Sequence, residues 1–226
     1  MVMKNDTLNS FTSAVETAWP SPPAKRQLAL CEDKWVGVIR RKSGGLYEFD
    51  SITAFDYKPI STQRTVRRLL LILESPHCKE YLHENGPVPA NGTTGTNIRH
   101  YLGKVLKSEP NLTDPSLEVI LVNAVPYQCS QGEKLNDYGK RSKRDQVFRA
   151  TFCAGSETPG LEFEKRMSGY VRALDVVVNC CTKGVTTPPL RDLVQDSLMR
   201  LGEKNLIHHG ATHPVSWLNS LHRKFC

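Results

Sequence analysis

Residues 69 to 80, LLLILESPHCKE, run from five apolar side chains straight into groups that can do chemistry: Glu74, Ser75 and His77, with a second carboxylate at Glu80. A carboxylate can support a developing positive charge or orient a water, and an imidazole can donate a hydrogen bond to an oxygen that is gaining charge. Comparable groups end other apolar runs. Asn123 closes VILVN and is followed by Tyr127 and Gln128, Thr182 and Lys183 follow LDVVVNCC, and His208, His209 and His213 lie in or after NLIHHG. Asn123 carries a donor and an acceptor on one planar amide, the pattern needed to pair with the edge of a heterocycle. The set describes a cleft that reads a planar polar ligand and stabilises charge. Each residue also has a plainer use: Glu74 as a turn carboxylate accepting backbone N–H groups, Asn123 as an Asx turn, His213 as a surface histidine before Pro214.

For these groups to meet, the apolar runs must be strands that end on one edge. Four such runs occur, at 69–73, 119–125, 174–181 and 205–210. Between them lie segments of helical periodicity: TNIRHYLGKVLKS, RDQVFRATF with LEFEKRMSGYVRAL, and PLRDLVQDSLMRLG, the last opening on Pro189. Alternating strand and helix predicts a three-layer α/β/α sandwich around a central four-stranded parallel sheet. In such sheets ligands sit beyond the carboxyl ends of the strands. The preceding chain differs in texture. Its first 25 residues or so lead into WPSPPAKR, read as a linker or capping arm, and KWVGVIRRKSGGLYEFDSITAFDY alternates around Ser43-Gly44-Gly45 as a β-hairpin. The expected division is an arm and hairpin over 1–66 and an α/β/α domain over 67–226.

The 226 residues suffice for one sizeable core, and a net charge of +7 with a pI near 9.1 favours an anionic partner such as nucleic acid, a mildly basic cytosolic protein without one being the plainer reading. Seven cysteines without a CxxC pair match neither a disulfide framework nor a metal or cluster spacing. No metal or other cofactor is expected, and the compartment is read as reducing. No apolar stretch approaches the roughly 20 residues of a membrane span. A monomeric, cytoplasmic protein is the expectation.

The order LESPH, GTTGTNIRHYL, VILVNAVPYQ and GATHPVSW resembles the uracil-DNA glycosylase superfamily from about Arg67 onward. Its members carry a first motif of the type G-[QE]-x-P-[YG], a strand ending LLLN and a last motif beginning His-Pro. LESPHCKE is most similar to the version G-E-A-P-G-x-x-E, although the iron-sulfur cysteines of that branch have no counterparts at cluster spacing. The resemblance implies catalytic roles for Glu74, Glu80 and His213, and a base pocket built from Ser75, His77, Ala90, Asn123 and Tyr127. Ser75 stands where the best-known branch holds a water-activating aspartate. Ala90 stands where an aromatic ring stacks on the flipped base, a loss of about 1 to 3 kcal/mol of stacking. His77 replaces a tyrosine that excludes 5-substituted pyrimidines. Both replacements point to a larger pocket.

DNA contacts are expected from Thr94 and Thr96 in TTGTN, at a helix N-terminus suited to phosphate or simply capped. The run KRSKRDQVFR offers Lys140, Arg141, Lys143 and Arg144 as a backbone patch or a solvated helix face. Trp217 or Leu218, after His213-Pro214, occupies the place of an intercalating wedge, with packing of the C-terminal segment as the other use of Trp217. The expected activity is that of a monofunctional DNA glycosylase that flips and excises a pyrimidine, including a bulky 5-modified pyrimidine of foreign DNA. A non-catalytic DNA-binding module and a nucleoside or nucleotide hydrolase are the rival readings.

Overall fold

The side chains of Leu69 to Leu73 offer water nothing to hydrogen bond, so the segment can be a strand only where both of its faces are covered. In the computed structural model, which describes residues 2–18, 29–63, 66–107, 112–130, 138–154, 158–169, 171–201, 207–210 and 212–217, both faces are covered. The chain starts with α1 (Val2–Ala18), β1 (Lys34–Arg41), β2 (Tyr47–Phe49) and β3 (Arg68–Leu73). It continues through a 3₁₀ turn (Cys78–Tyr81), α2 (Thr93–Leu106), β4 (Ser116–Asn123), α3 (Tyr138–Phe152) and α4 (Leu161–Ser168). β5 (Val176–Asn179), α5 (Leu190–Arg200), β6 (Ile207–Gly210) and a second 3₁₀ turn (Pro214–Ser216) complete the described elements.

Among the described residues the sheet is mixed and six-stranded, in the order β2-β1-β4-β3-β5-β6. β3 runs parallel to β4, with Leu73 opposite Asn123, and parallel to β5, with Leu71 opposite Val178. β6 lies parallel along β5, and β1 is antiparallel to both β4 and β2. The predicted hairpin therefore continues the sheet at the edge of β4.

The two-residue period of the strands sorts their side chains into two clusters. Leu70, Ile72, Ile120, Val122 and Val177 pack with Val147, Phe148 and Phe152 of α3, Phe163 and Met167 of α4, and Leu190, Val194 and Leu198 of α5. Leu69, Leu71, Leu73, Val119, Leu121, Val176 and Val178 pack with Ile98, Leu102 and Leu106 of α2.

Three elements depart from the sequence reading. The presumed arm contains α1, whose Phe11, Val15 and Ala18 join the first cluster, with Phe11 stacked on Tyr127 at 5.0 Å. Its polar composition hid this, because only one narrow stripe is apolar. The helix expected over 161–174 stops at Ser168. Gly169 follows it, Leu174 has φ of +72°, and the buried Asp175 carboxylate accepts N–H bonds from Arg172 (2.9 Å) and Arg68 (3.0 Å). A turn stapled by Asp175 thus delivers the chain to β5. That strand is shorter than its apolar run, because Asn179 Oδ1 accepts the Cys181 N–H (3.2 Å) and ends the ladder.

Candidate functional site

Beyond the carboxyl ends of β3 and β5 the surface opens into a cleft of about 590 Å³. The cleft begins where the β3 ladder runs out. Ala124 and Val125 donate their N–H groups to the carbonyls of Leu73 (2.8 Å) and Glu74 (3.0 Å), so the backbone of Glu74 stays tied to the end of β4. Its side chain borders the cleft and is only 5% exposed. One carboxylate oxygen lies 3.2 Å from Arg144 Nε on α3, and the other accepts the Thr182 hydroxyl after β5. Burial pushes the Glu74 carboxyl above its ordinary range. Arg144 and the Thr182 hydroxyl pull against this, and nearby Asp145 adds to the upward push.

After Pro76 the chain enters the first 3₁₀ turn. His77 Nδ1 accepts the Lys79 N–H at 3.4 Å, and burial, then Lys79, holds the imidazole below its usual value. Glu80 closes the turn. Its carboxylate accepts backbone N–H bonds from His77 and from Ala90 (2.8 Å), joining the turn to the loop before α2. Burial pushes Glu80 up to about 8 against the pull of these two donors. That loop sits tightly on α2. A Cβ at Gly95 would lie 2.1 Å from the Ala90 carbonyl oxygen, so only glycine lets the helix start here. The start of α2, with Gly92, Thr93 and Thr94, borders the cleft without a side-chain cap, bringing the positive end of a helix to it.

The remaining wall comes from the second 3₁₀ turn. His213 Nδ1 accepts the Val215 N–H at 3.3 Å, so in the neutral ring the proton sits on Nε2. Desolvation, followed by the nearby Arg144 and Arg191 guanidinium groups, pushes His213 down to about 4, and the ring is neutral at physiological pH. Asn97 of α2 braces the turn by donating to the Pro214 carbonyl at 3.0 Å.

Of the residues singled out in the sequence, Glu74, Ser75, His77, Glu80, Thr94, Arg141, Arg144 and His213 meet in this cleft. Others do not. Ala90 is buried in the α2-side cluster with φ of +58°, so it forms no pocket wall. Asn123 is 0% exposed; its Nδ2 lies 3.5 Å from Cys31 Sγ, and its Oδ1 is buried without a hydrogen-bond partner. Tyr127 packs against Phe11 in the opposite cluster. Trp217 is 2% exposed in the α2-side core, and its Nε1 donates to the Thr212 carbonyl at 2.7 Å. The ring most suggestive of a wedge is therefore the anchor of the turn, and the exposed apolar residue beside the cleft is Val215. Thr96 is exposed on α2 and accepts from Arg99 at 3.3 Å, and Lys143 is exposed on α3. Lys140 lies in α3 with its side chain outside the described residues, as are the side chains of His208 and His209 in β6 and all of Leu218.

Arg144 is a correction of a different kind. Its guanidinium is buried between Glu74 and Asp145, with Nη2 at 2.5 Å from Asp145 Oδ1, and no longer counts toward a solvent-facing patch. Asp145 and Val215 carried no signal in the sequence. Asp145 reads as one acid in a basic run, and Val215 is one valine among many.

The cleft thus combines a buried carboxylate with a fixed counter-ion, a neutral imidazole with its N–H available, several hydroxyls and a helix N-terminus. Such a set can support a cationic centre on one side of a ligand and an anionic one on the other. No helix among the described residues is long and apolar enough to cross a membrane. No protein-family model matches the chain, and no curated protein or solved structure matches it either.

Proposed function

We propose that the cleft is the active site of a monofunctional DNA glycosylase, on a three-layer α/β/α fold, that accepts an extruded pyrimidine nucleotide and hydrolyses its N-glycosidic bond with water. The carrying observation is the presence in one 590 Å³ cleft of the buried Glu74 carboxylate and the neutral His213 ring. Breaking the bond leaves positive charge on the deoxyribose and negative charge on the departing base. Glu74 supports the first and orients the attacking water. The Nε2–H of His213 donates to the base oxygen that takes up the second, from a ring that burial keeps neutral. Ser75, which cannot ionise, leaves this work to Glu74. Glu80 holds the turn and loop that shape the wall, since its carboxylate is engaged by backbone N–H groups. The net charge of +7 and the exposed Arg141 and Lys143 suit a DNA backbone, and Val215 is the apolar group placed to enter the space of an extruded base. With Ala90 in the core, the case for a bulky 5-substituted base rests on His77 alone.

The test is base release. The protein is incubated with oligonucleotides carrying uracil, thymine and 5-substituted cytosines, abasic sites are cleaved by alkali, and the freed base is identified by mass spectrometry. Release of one pyrimidine, reduced at least roughly tenfold in His213→Ala, supports the reading. Salt-dependent DNA binding without any abasic site leaves a binding module, and hydrolysis of free nucleosides alone leaves a nucleoside hydrolase.

A further inference from the structure

Within α3, Arg141 and Lys143 are exposed while their neighbours Arg144 and Asp145 are buried. A charge that reads phosphate must face solvent, and Arg144 does not. Its Nε lies 3.2 Å from Glu74 and 2.9 Å from Asp145 Oδ1, and its Nη2 also reaches Oδ1 at 2.5 Å. Asp145, at 0% exposure, is itself fixed from the other side. Its Oδ2 accepts the Val185 N–H at 2.6 Å and lies 3.5 Å from the Thr186 hydroxyl, which in turn accepts from Arg149 at 2.9 Å. A Cβ at Gly184, whose φ is +72°, would fall 2.6 Å from that same oxygen, so the loop after β5 closes on Asp145 only through a glycine. The result is a continuous polar chain from α3 through the loop to the cleft.

We propose that Arg144, clamped by Asp145, is the positioning residue for Glu74, holding the carboxylate at the cleft wall, and is not a contact to the DNA backbone. The inference rests on the glycosylase reading for its kinetic consequence, though not for its structural one. A guanidinium fixed beside a buried carboxylate holds its orientation and favours its ionised form against the pull of burial, whereas the same carboxylate alone protonates more readily or turns away. The groups around Glu74 leave this role to Arg144. Asp145 and Glu80 are acids, Cys181 is a buried thiol, and Thr182 is a neutral donor. His213 is uncharged, and Arg191 is committed to the Cys181 carbonyl at 2.9 Å.

The experiment uses the full chain, ¹³C-labelled, as wild type, Arg144→Met and Arg144→Lys. Three quantities are read: the carboxyl titration of Glu74 by NMR, kcat and KM on the released pyrimidine across pH, and the salt dependence of binding to an unmodified duplex. Arg144→Met is expected to move the Glu74 midpoint to higher pH and to lower kcat at pH 7 at least tenfold. Part of that loss should return as pH rises and Glu74 ionises, while KM stays within about twofold of wild type and the salt slope does not change. Arg144→Lys keeps the charge but not the fork. It should leave the midpoint near wild type and still lower kcat severalfold, separating geometry from charge and standing in if the Met variant does not fold. An unchanged Glu74 midpoint in Arg144→Met, or a salt slope reduced by about one in either variant, overturns the proposal in favour of a phosphate contact. If no pyrimidine is released by the wild type, the glycosylase reading falls, and the Glu74 titration alone still decides the role of Arg144.

Discussion

β3 and β4 end side by side, with Leu73 paired to Asn123, yet the two strand ends have opposite fates. Past Leu73 the chain meets open space, and Glu74, Ser75 and His77 line a cleft. Past Asn123 it meets cover. Arg166 of α4 donates to the carbonyls of Asn123 (2.8 Å) and Ala124 (3.1 Å) and pairs with Asp33 at 2.5 Å, whose other oxygen accepts the Asn123 N–H (3.3 Å). Cys31 closes over the amide, and Tyr127 is held under Phe11 of α1. Two polar residues one register step apart at one sheet edge are thus a chemical group and a core group. The difference lies in what the rest of the chain lays over them.

The largest expected effect tests the open end. Glu74→Gln keeps the shape and the bond from Thr182 but removes the charge, and should lower base release by about 100-fold or more with duplex binding unchanged. Asn123→Ala, at the covered end, should change release less than about threefold. A tenfold loss in Asn123→Ala at unchanged Tm would break the contrast and return the amide to the site.

Ala90→Phe sharpens the same distinction on the α2 side. A ring placed at this buried, positive-φ position overpacks the core, and a loss of at least about 1 to 3 kcal/mol in denaturant unfolding is expected, with the ranking of released bases unchanged. A stable Ala90→Phe protein with altered base preference would show that Ala90 faces the ligand.

Glu80 gives a pH signature. Its folded carboxyl titrates at about 8 against an ordinary value of 4.5, so between these pH values the folded state holds a proton that the unfolded state has released. Its contribution therefore falls as pH rises through that window. Unfolding of Glu80→Gln followed from pH 4.5 to 8 should lack this decline, and an identical decline in both proteins would assign it to other groups. The smallest effect belongs to Arg141→Ala. This should weaken duplex binding uniformly across sequences and reduce the salt slope by about 0.9, with kcat unchanged.

How far these features were legible in the sequence follows from the range of the forces involved. Strand character in LLLIL, VILVN and DVVVN is local, written in apolar runs that only a covered sheet can hold, and the cleft at their carboxyl edge follows from strand direction. Strand direction alone brings Glu74, His77 and His213 to one edge of the sheet, where they line one cleft. Boundaries were less legible where a single side chain decides them, as Asp175 does before β5 and Asn179 does after it. Burial of polar groups was not legible at all. Whether Asn123 opens to ligand and whether Arg144 meets phosphate or Glu74 depend on partners 92 and 70 positions away, and whether Trp217 is a wedge or an anchor depends on the closing of a core around it. Apolar runs and strand direction settle which groups stand at the strand ends. Packing settles which of them water and a ligand can reach, because desolvation is set by everything around a group and not by its neighbours along the chain.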